Sequence, residues 1–345
     1  MNRAIYEQDL KYAAGDAASW LGGRRVLITG ATGLIGSFLT EALLSLNAGI
    51  HVYAASRRPE AAAARFGALA DNPCLHLVPY DAARPAPFDF EPDFIVHAAC
   101  SAHPLAYATD PVGIMQANLC GTMALLESLR NRPEARLLLL SSGEVYGENP
   151  DLPDGFGESD FSGIDPMKPR SCYPEGKRAA EALCACYAAQ YGVQALAARL
   201  CHVYGPTFTP ENSRADAQFL RNVLAGEDIV MKSEGRQMRS WCYVADAASA
   251  ILHLLRHGAP GQAYNVANRC ATASIRQYAQ TLADLGDVSL RFDLPSDREK
   301  AGYTRVTRAV LNPSKLEALG WQPRFDLPTG LKHTLDCLNE RRRMT

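Results

Sequence analysis

An α/β fold follows from the sequence: a doubly wound parallel sheet with a smaller C-terminal α/β lobe. Short apolar, β-branched runs alternate with stretches of helical periodicity. A glycine-rich turn stands where the first run meets the first helix, and the texture becomes polar and loop-rich from about Pro206. Apolar strands separated by helices belong to a parallel sheet covered on both faces, and right-handed crossovers make such a sheet doubly wound.

Residues 26–29 form the first expected strand, which stops at Gly30; Leu34, Ile35, Phe38, Leu39 and Leu43 then recur at helical spacing. Further strands are expected at 51–55, 75–78, 94–97, 137–140 and 195–200, with helical patterns between most of them. After the polar segment that runs to Arg239, residues 243–255 read as a helix and 263–266 as one more strand. The tail from Ser274 carries helices and a Gly-Trp-Gln-Pro stop at Gly320 to Pro323. The implied organisation is an N-terminal extension (1–22), a nucleotide domain (23–203 with 243–270) and a substrate-binding lobe (204–242 with 271–345). There are no internal repeats or low-complexity tracts.

Composition limits the function classes. A chain of 345 residues has ample interior for a large core and a lobe. Its formal net charge of −2 advertises neither nucleic acid nor an anionic membrane, so any anion must be held locally. The ten cysteines are scattered without a CxxC pair, which argues against a metal or redox motif and fits reduced thiols in a cytoplasm. Residues 1–20 lack an apolar signal core, and no stretch reaches membrane-spanning length. A cytoplasmic protein with no membrane or nucleic-acid partner is expected.

Gly30-Ala31-Thr32-Gly33-Leu34-Ile35-Gly36 lies at the first strand-to-helix junction. There one glycine permits the turn, one lets backbone approach a pyrophosphate and one lets helix pack on strand, while free N–H groups at the helix N-terminus hold the anion. This assigns Gly30, Thr32, Gly33, Leu34, Ile35 and Gly36 to a dinucleotide and makes the sheet a Rossmann sheet. The second strand ends in Ser56-Arg57-Arg58, where an acidic residue would serve the ribose of NAD. Two guanidinium groups there favour the 2′-phosphate of NADP, with a solvated turn as the alternative. Asp81, after the third strand, is assigned to the adenine amino group or to a surface turn.

Tyr173-Pro174-Glu175-Gly176-Lys177 places a phenol and an ammonium one turn apart on a helix, on one face. The ammonium lowers the phenol pKa, so that the phenolate takes a hydroxyl proton while nicotinamide takes hydride. Ser142 follows the fifth strand, at the carboxyl end where open α/β sheets keep their ligands, and its hydroxyl can hydrogen-bond the reacting oxygen.

With these residues the chain resembles the extended short-chain dehydrogenase/reductase family, in particular its nucleotide-sugar epimerases, dehydratases and decarboxylases. The resemblance spans Arg24 to about Pro328. It rests on GATGLIG at Gly30, HAA at His97, NLCGT at Asn118, SSGEVYG at Ser141, Tyr173xxxLys177, RLCHVYGP at Arg199, RSWCYVAD at Arg239 and LGWxP at Leu319. It implies NAD(P) kept in the site and recycled, with the family favouring NAD. It also implies Ala98 and Ala99 beside that cofactor, Asn118 supporting the active-site helix, a nucleotide-diphosphate sugar as substrate, and a homodimer pairing the helices that carry Asn118 and Tyr173.

Gly143 and Glu144 decide the reaction. A 4,6-dehydratase has an Asp-Glu pair there, and Gly143 cannot donate a proton; a simple 4-epimerase needs no carboxylate at position 144. Glu144 therefore points to chemistry next to C5, its alternative being a structural hydrogen bond. The pair, and Pro169-Arg170-Ser171-Cys172 before Tyr173, resemble UDP-glucuronate decarboxylases, whose reaction needs only a 4-keto group β to the carboxylate. His103, Tyr107, Arg170, His202, Arg214, Arg239 and Arg308 are then expected at the substrate, with Arg214 and Arg239 gripping the diphosphate. His202 stands where relatives usually have Asn, and Met231-Lys232-Ser233 replaces an aromatic-glycine pair that meets the base, so a nucleotide other than uridine stays open. The competing readings are a 4-epimerase or 4,6-dehydratase and, more remotely, a non-catalytic dinucleotide sensor.

Overall fold

The computed structural model describes residues 3–147, 152–294 and 307–343; the ends of the expected extension and lobe, and residues 295–306 of the lobe, lie outside these described residues. The strands β1 (Arg25–Thr29), β2 (His51–Ser56), β3 (Leu75–Pro79), β4 (Phe94–His97), β5 (Arg136–Ser142) and β6 (Gln194–Leu200) fall close to the expected runs. With Ala263–Val266 they make one seven-stranded sheet in the order Ala263–Val266, β6, β5, β4, β1, β2, β3. Every neighbouring pair is parallel.

The apolar runs are continuous because both faces of this sheet are covered. Within β1, Val26 and Ile28 belong to the core under the helices Leu34–Ser45 and Val244–His257. Leu27, one residue out of phase, joins the core under Pro111–Ser128 and Cys172–Tyr191. Winding reverses at β1, whose two neighbours are β2 and β4, so a crevice opens at the carboxyl ends of β1 and β4.

The segment expected to be polar loop holds more order. It contains the helix Ala215–Ala225, the strand Ile229–Met231 and the start of Met238–Tyr243, which is central to a second, four-stranded sheet with His202–Tyr204, Thr272–Ser274 and Arg308–Ala309. The helix expected from 243 starts at Val244 because Tyr243 still closes a strand.

The N-terminal extension is part of the fold. Its helix Arg3–Ala14 packs on Leu34–Ser45, Val244–His257 and Leu327–Arg343. Asp9, 2% exposed, accepts hydrogen bonds from Tyr243 Oη at 2.7 Å and from His333 Nδ1 at 3.0 Å. Tyr12 Oη donates to Asp246 Oδ1 at 2.7 Å, a carboxylate that also receives the backbone N–H groups of Arg324 and Phe325. Buried carboxylates persist only when satisfied in this way. No helix among the described residues is long and apolar enough to cross a membrane.

Candidate active site

The glycine turn has the shape that a pyrophosphate requires. Gly30 adopts φ +67°, and a Cβ there would lie 2.6 Å from the Ala98 carbonyl oxygen; a Cβ on Gly36 would lie 2.4 Å from the Gly30 oxygen. Both positions therefore exclude side chains. Gly33 is the N-cap of Leu34–Ser45 and contributes no capping side chain, which leaves the first N–H groups of that helix, from Leu34 and Ile35 onward, to an anion. Thr32 lies within the turn, half-buried, and the Leu34 carbonyl is tied to Thr207 Oγ1 at 2.7 Å.

At the end of β2, Ser56 Oγ donates to the Arg58 carbonyl at 3.2 Å, and the side chains of Arg57 and Arg58 are exposed. Asp81 is exposed and accepts the Ala83 N–H at 3.0 Å, the geometry of a surface turn. Ala98 and Ala99 donate their N–H groups to Thr29 Oγ1 at 3.1 and 3.2 Å.

Thr29 and His97 are a pair that the sequence reading passed over as site residues. The Thr29 hydroxyl accepts two amides, so its own proton points to His97 Nδ1, 2.7 Å away, and the imidazole is neutral there. Burial, and then the Lys177 charge, push His97 down to about 3. The unfolded chain thus binds a proton below the ordinary histidine range that the folded one refuses, and this part of the stability is lost as pH falls. Acidification from about pH 7 to about pH 5 should cost about 2 kcal/mol through His97. Urea unfolding at both pH values checks this, since His97→Gln should show a smaller acid loss; an equal loss contradicts it.

Helix Cys172–Tyr191 carries Tyr173 and Lys177, the couple expected from the sequence to be catalytic. Pro174 falls in its first turn, where the missing N–H breaks no intrahelical bond, and Gly192 in the left-handed region closes it. A Cβ on Gly176 would lie 3.2 Å from Asn118 Nδ2, so this glycine lets the helix bearing Asn118 approach. Asn118 is buried, donating to the Ile114 carbonyl at 2.8 Å and to Cys100 Sγ at 3.2 Å.

Lys177 is buried and donates to the Leu140 carbonyl at 2.7 Å, with its ammonium 6.0 Å from the Tyr173 ring centre. Burial depresses Lys177, offset by Cys100 and Glu181. Burial also drives the Tyr173 phenol well above its ordinary range, helped by Cys100 and Glu144; hydrogen bonding with Ser142 and the Arg214 charge pull it back. Ser142 ends β5, and its Oγ accepts the Glu144 N–H at 3.1 Å, which aims both residues into the same crevice.

Around this couple, Tyr107 stacks on Tyr173 with ring centres 4.9 Å apart. The Arg170 guanidinium lies 4.4 Å from the Tyr107 ring centre and bonds Glu144 Oε2 at 2.9 Å. Arg239 is buried and stands in the second sheet, where it feels the Glu144 charge. Arg214 reaches the Ala102 carbonyl. His202 packs against Trp241 and is pushed down to about 3 by burial and by Arg239 and Arg214. His103 caps Pro104–Thr109, accepting from Ala106 N–H at 3.4 Å, and lies 3.3 Å from Ser213 Oγ. Arg308 is directed away to the Pro153 carbonyl.

The structure thus brings Ser142, Glu144, Tyr107, Arg170, Tyr173 and Lys177 together. It sets Arg214, Arg239 and His202 within electrostatic reach, engages His103 with the Ala106 N–H and Ser213 Oγ, and engages Arg308 with the Pro153 carbonyl. A separate cavity of about 540 Å³ opens between helix Cys172–Tyr191 and the strand Ala263–Val266. Its Arg199 and Glu181 pair at 2.7 Å, and Ser142, Glu144, Tyr173 and Lys177 do not line it.

A parallel sheet with an uncapped glycine turn at its switch point, and a serine, tyrosine and lysine converging at the same edge, is the arrangement of a nicotinamide-dependent enzyme. The chain belongs to the NAD dependent epimerase/dehydratase family, whose model matches residues 26–267. Among characterised relatives, it is 32% identical over 311 residues to UDP-glucuronic acid decarboxylase 6 of Arabidopsis thaliana, covering 89% of this chain and 86% of that one. It is 30% identical over 316 residues to UDP-glucuronic acid decarboxylase 1 of Xenopus tropicalis, covering 90% and 71%. Among solved structures, the dTDP-glucose 4,6-dehydratase DesIV of Streptomyces venezuelae, crystallised with NAD, matches with a TM-score of 0.74 at 26% identity, covering 93% and 98%. The UDP-glucuronic acid 4-epimerase of Bacillus cereus has the same fold, with a TM-score of 0.77 at 22% identity over 92% and 99%.

Proposed function

We propose that this chain is an NAD(P)-dependent nucleotide-sugar enzyme that transiently oxidises C4 of UDP-glucuronate and releases carbon dioxide. The observation that carries this reading is the Gly143–Glu144 pair at the end of β5. Gly143 has no side chain and so offers no proton donor beside Ser142, and the Leu311 side chain packs over it, 3.0 Å from where a Cβ would stand. Loss of a C6 hydroxyl needs such a donor, whereas loss of carbon dioxide from a β-keto acid does not. The decarboxylase relatives support the same choice.

The glycine turn fits the pyrophosphate of a dinucleotide, and the nicotinamide, when bound, supplies hydride acceptance at C4 and its later return. Tyr173 removes the proton of the C4 hydroxyl, and Ser142 hydrogen-bonds the same oxygen in both redox states. The ketone then serves as electron sink as carbon dioxide departs, and the enolate oxygen rests on Ser142 and Tyr173. Glu144 is assigned to proton transfer at C5. Arg214 and Arg239 are assigned to the diphosphate, and Asp81, His103 and Arg308 stay outside the reacting centre.

Incubation of the purified protein with UDP-glucuronate and NAD(P)+ should yield carbon dioxide and a UDP-pentose. Recovery of a hexose carrying solvent deuterium at C5 would replace this reading with an epimerase or dehydratase.

Three finer assignments accompany it. The exposed Arg57 and Arg58 make NADP the preferred cofactor: replacing both by Ala should weaken NADPH binding about tenfold or more while NADH changes little. Equal losses for the two cofactors, measured by fluorescence titration, contradict this. A homodimer pairing helices Pro111–Ser128 and Cys172–Tyr191 would cover Met123, 49% exposed on the first of them. The scattered cysteines suit the cytoplasm.

A further inference from the structure

We propose that Arg170 is a positioning residue that locks Glu144 and the ring of Tyr173 into one rigid unit. Two contacts converge on it, and a third links its partner ring to Tyr173. Its guanidinium bonds Glu144 Oε2 at 2.9 Å, lies 4.4 Å from the centre of the Tyr107 ring, and through that ring bears on Tyr173, which stacks on Tyr107 with an interplanar angle of 27°. Arg170 itself is fixed from below: it sits in the single turn Pro169–Ser171, which runs directly into helix Cys172–Tyr191, and Ser171 Oγ donates to the Asp165 carbonyl at 2.6 Å. The same short segment therefore sets the guanidinium and the catalytic phenol in register.

As a bare ion pair this contact has little to offer. Both side chains are about half exposed, and pairs of that kind contribute little to stability. The geometry is what distinguishes it. A planar guanidinium can stack on an aromatic face and still present N–H donors at its edge, so one group fixes a carboxylate and a ring at once. A lysine can hold the carboxylate alone. Proton transfer at C5 and proton removal at C4 fall to two residues, and both depend on placement to within a fraction of an ångström.

The proposal rests on the reaction assigned above for its kinetic arm and on structure alone for the other. Arg170→Met should leave the melting temperature within about 2 °C of the parent, because the pair is exposed. NADPH affinity should also hold, because the glycine turn is untouched. In its crystal structure, solved without substrate, the Glu144 carboxylate and the Tyr107 ring should lose their single positions. With UDP-glucuronate, kcat should fall about tenfold or more while KM changes less than about threefold, and Arg170→Lys should recover part of kcat by holding Glu144 alone. Glu144 and Tyr107 unmoved in the Arg170→Met crystal overturn the clamp whatever the substrate proves to be. So does an unchanged kcat, or a loss confined to KM. A parent protein that does not turn over UDP-glucuronate overturns the assigned reaction, while the crystallographic arm still decides the clamp.

Discussion

Replacing Tyr173 by Phe is expected to lower kcat for UDP-glucuronate about a thousandfold while leaving nucleotide binding within about threefold. The variant keeps the ring, so its stack on Tyr107 survives, as does the close approach of Gly176 to Asn118. What it loses is the oxygen proposed to take the C4 proton. The residues proposed to bind the nucleotide are untouched, since the glycine turn and Arg239 lie on other elements. Single-turnover absorbance of the reduced nicotinamide reads the effect, because the first step of the cycle should no longer form it. A fall of less than about tenfold would mean that another group removes the proton. Biological output left intact by Tyr173→Phe, despite lost turnover, would favour a non-catalytic sensor.

Glu144→Gln should fail at a different point. Ser142, Tyr173 and Lys177 remain, so C4 is still oxidised, but the step at C5 slows about a hundredfold. Reduced nicotinamide should therefore build up in the Glu144→Gln protein, where Tyr173→Phe shows none. Stopped-flow absorbance on the two variants separates these outcomes. Glu144→Gln indistinguishable from the parent would reduce Glu144 to a structural partner of Arg170, 2.9 Å away.

The central sheet was legible in the sequence because its strands are largely apolar runs, broken only by single residues such as His76 and Arg199. Val26, Leu27 and Ile28 are all fully buried, Val26 and Ile28 on one face and Leu27 on the other, and a parallel sheet leaves just that signature. The strand Met238–Tyr243 was hidden for the opposite reason. Arg239 and Ser240 are polar yet buried, and they break the pattern that an apolar core strand would show. The N-terminal helix gave no sign of its role, since its buried Asp9 is satisfied by Tyr243 and His333, each far along the chain.

The site divides along the same line. Ser142, Tyr173 and Lys177 could be read because each is placed by one element: the end of a strand or one turn of a helix. Tyr107, Arg170 and Glu144 come from three segments, so their mutual contact exists only after folding. The expected partnership of Lys177 with the phenol is drawn differently by the structure: the ammonium turns to the Leu140 carbonyl, and Ser142 and Arg214 exert the downward pull on Tyr173. A chain of backbone contacts that places a lysine against a strand end leaves no trace in a Tyr-x-x-x-Lys spacing.

The central claim is a redox-neutral cycle in which the hydrogen removed from C4 returns to the same carbon after carbon dioxide has left. The most direct test feeds the protein UDP-glucuronate deuterated at C4, with unlabelled NADP+ present, and locates the label by mass spectrometry and NMR. A UDP-pentose with deuterium retained at C4, and carbon dioxide released in equal amount, is the expected result. A product without deuterium at C4, or deuterated substrate returned with its carboxylate intact, would contradict it.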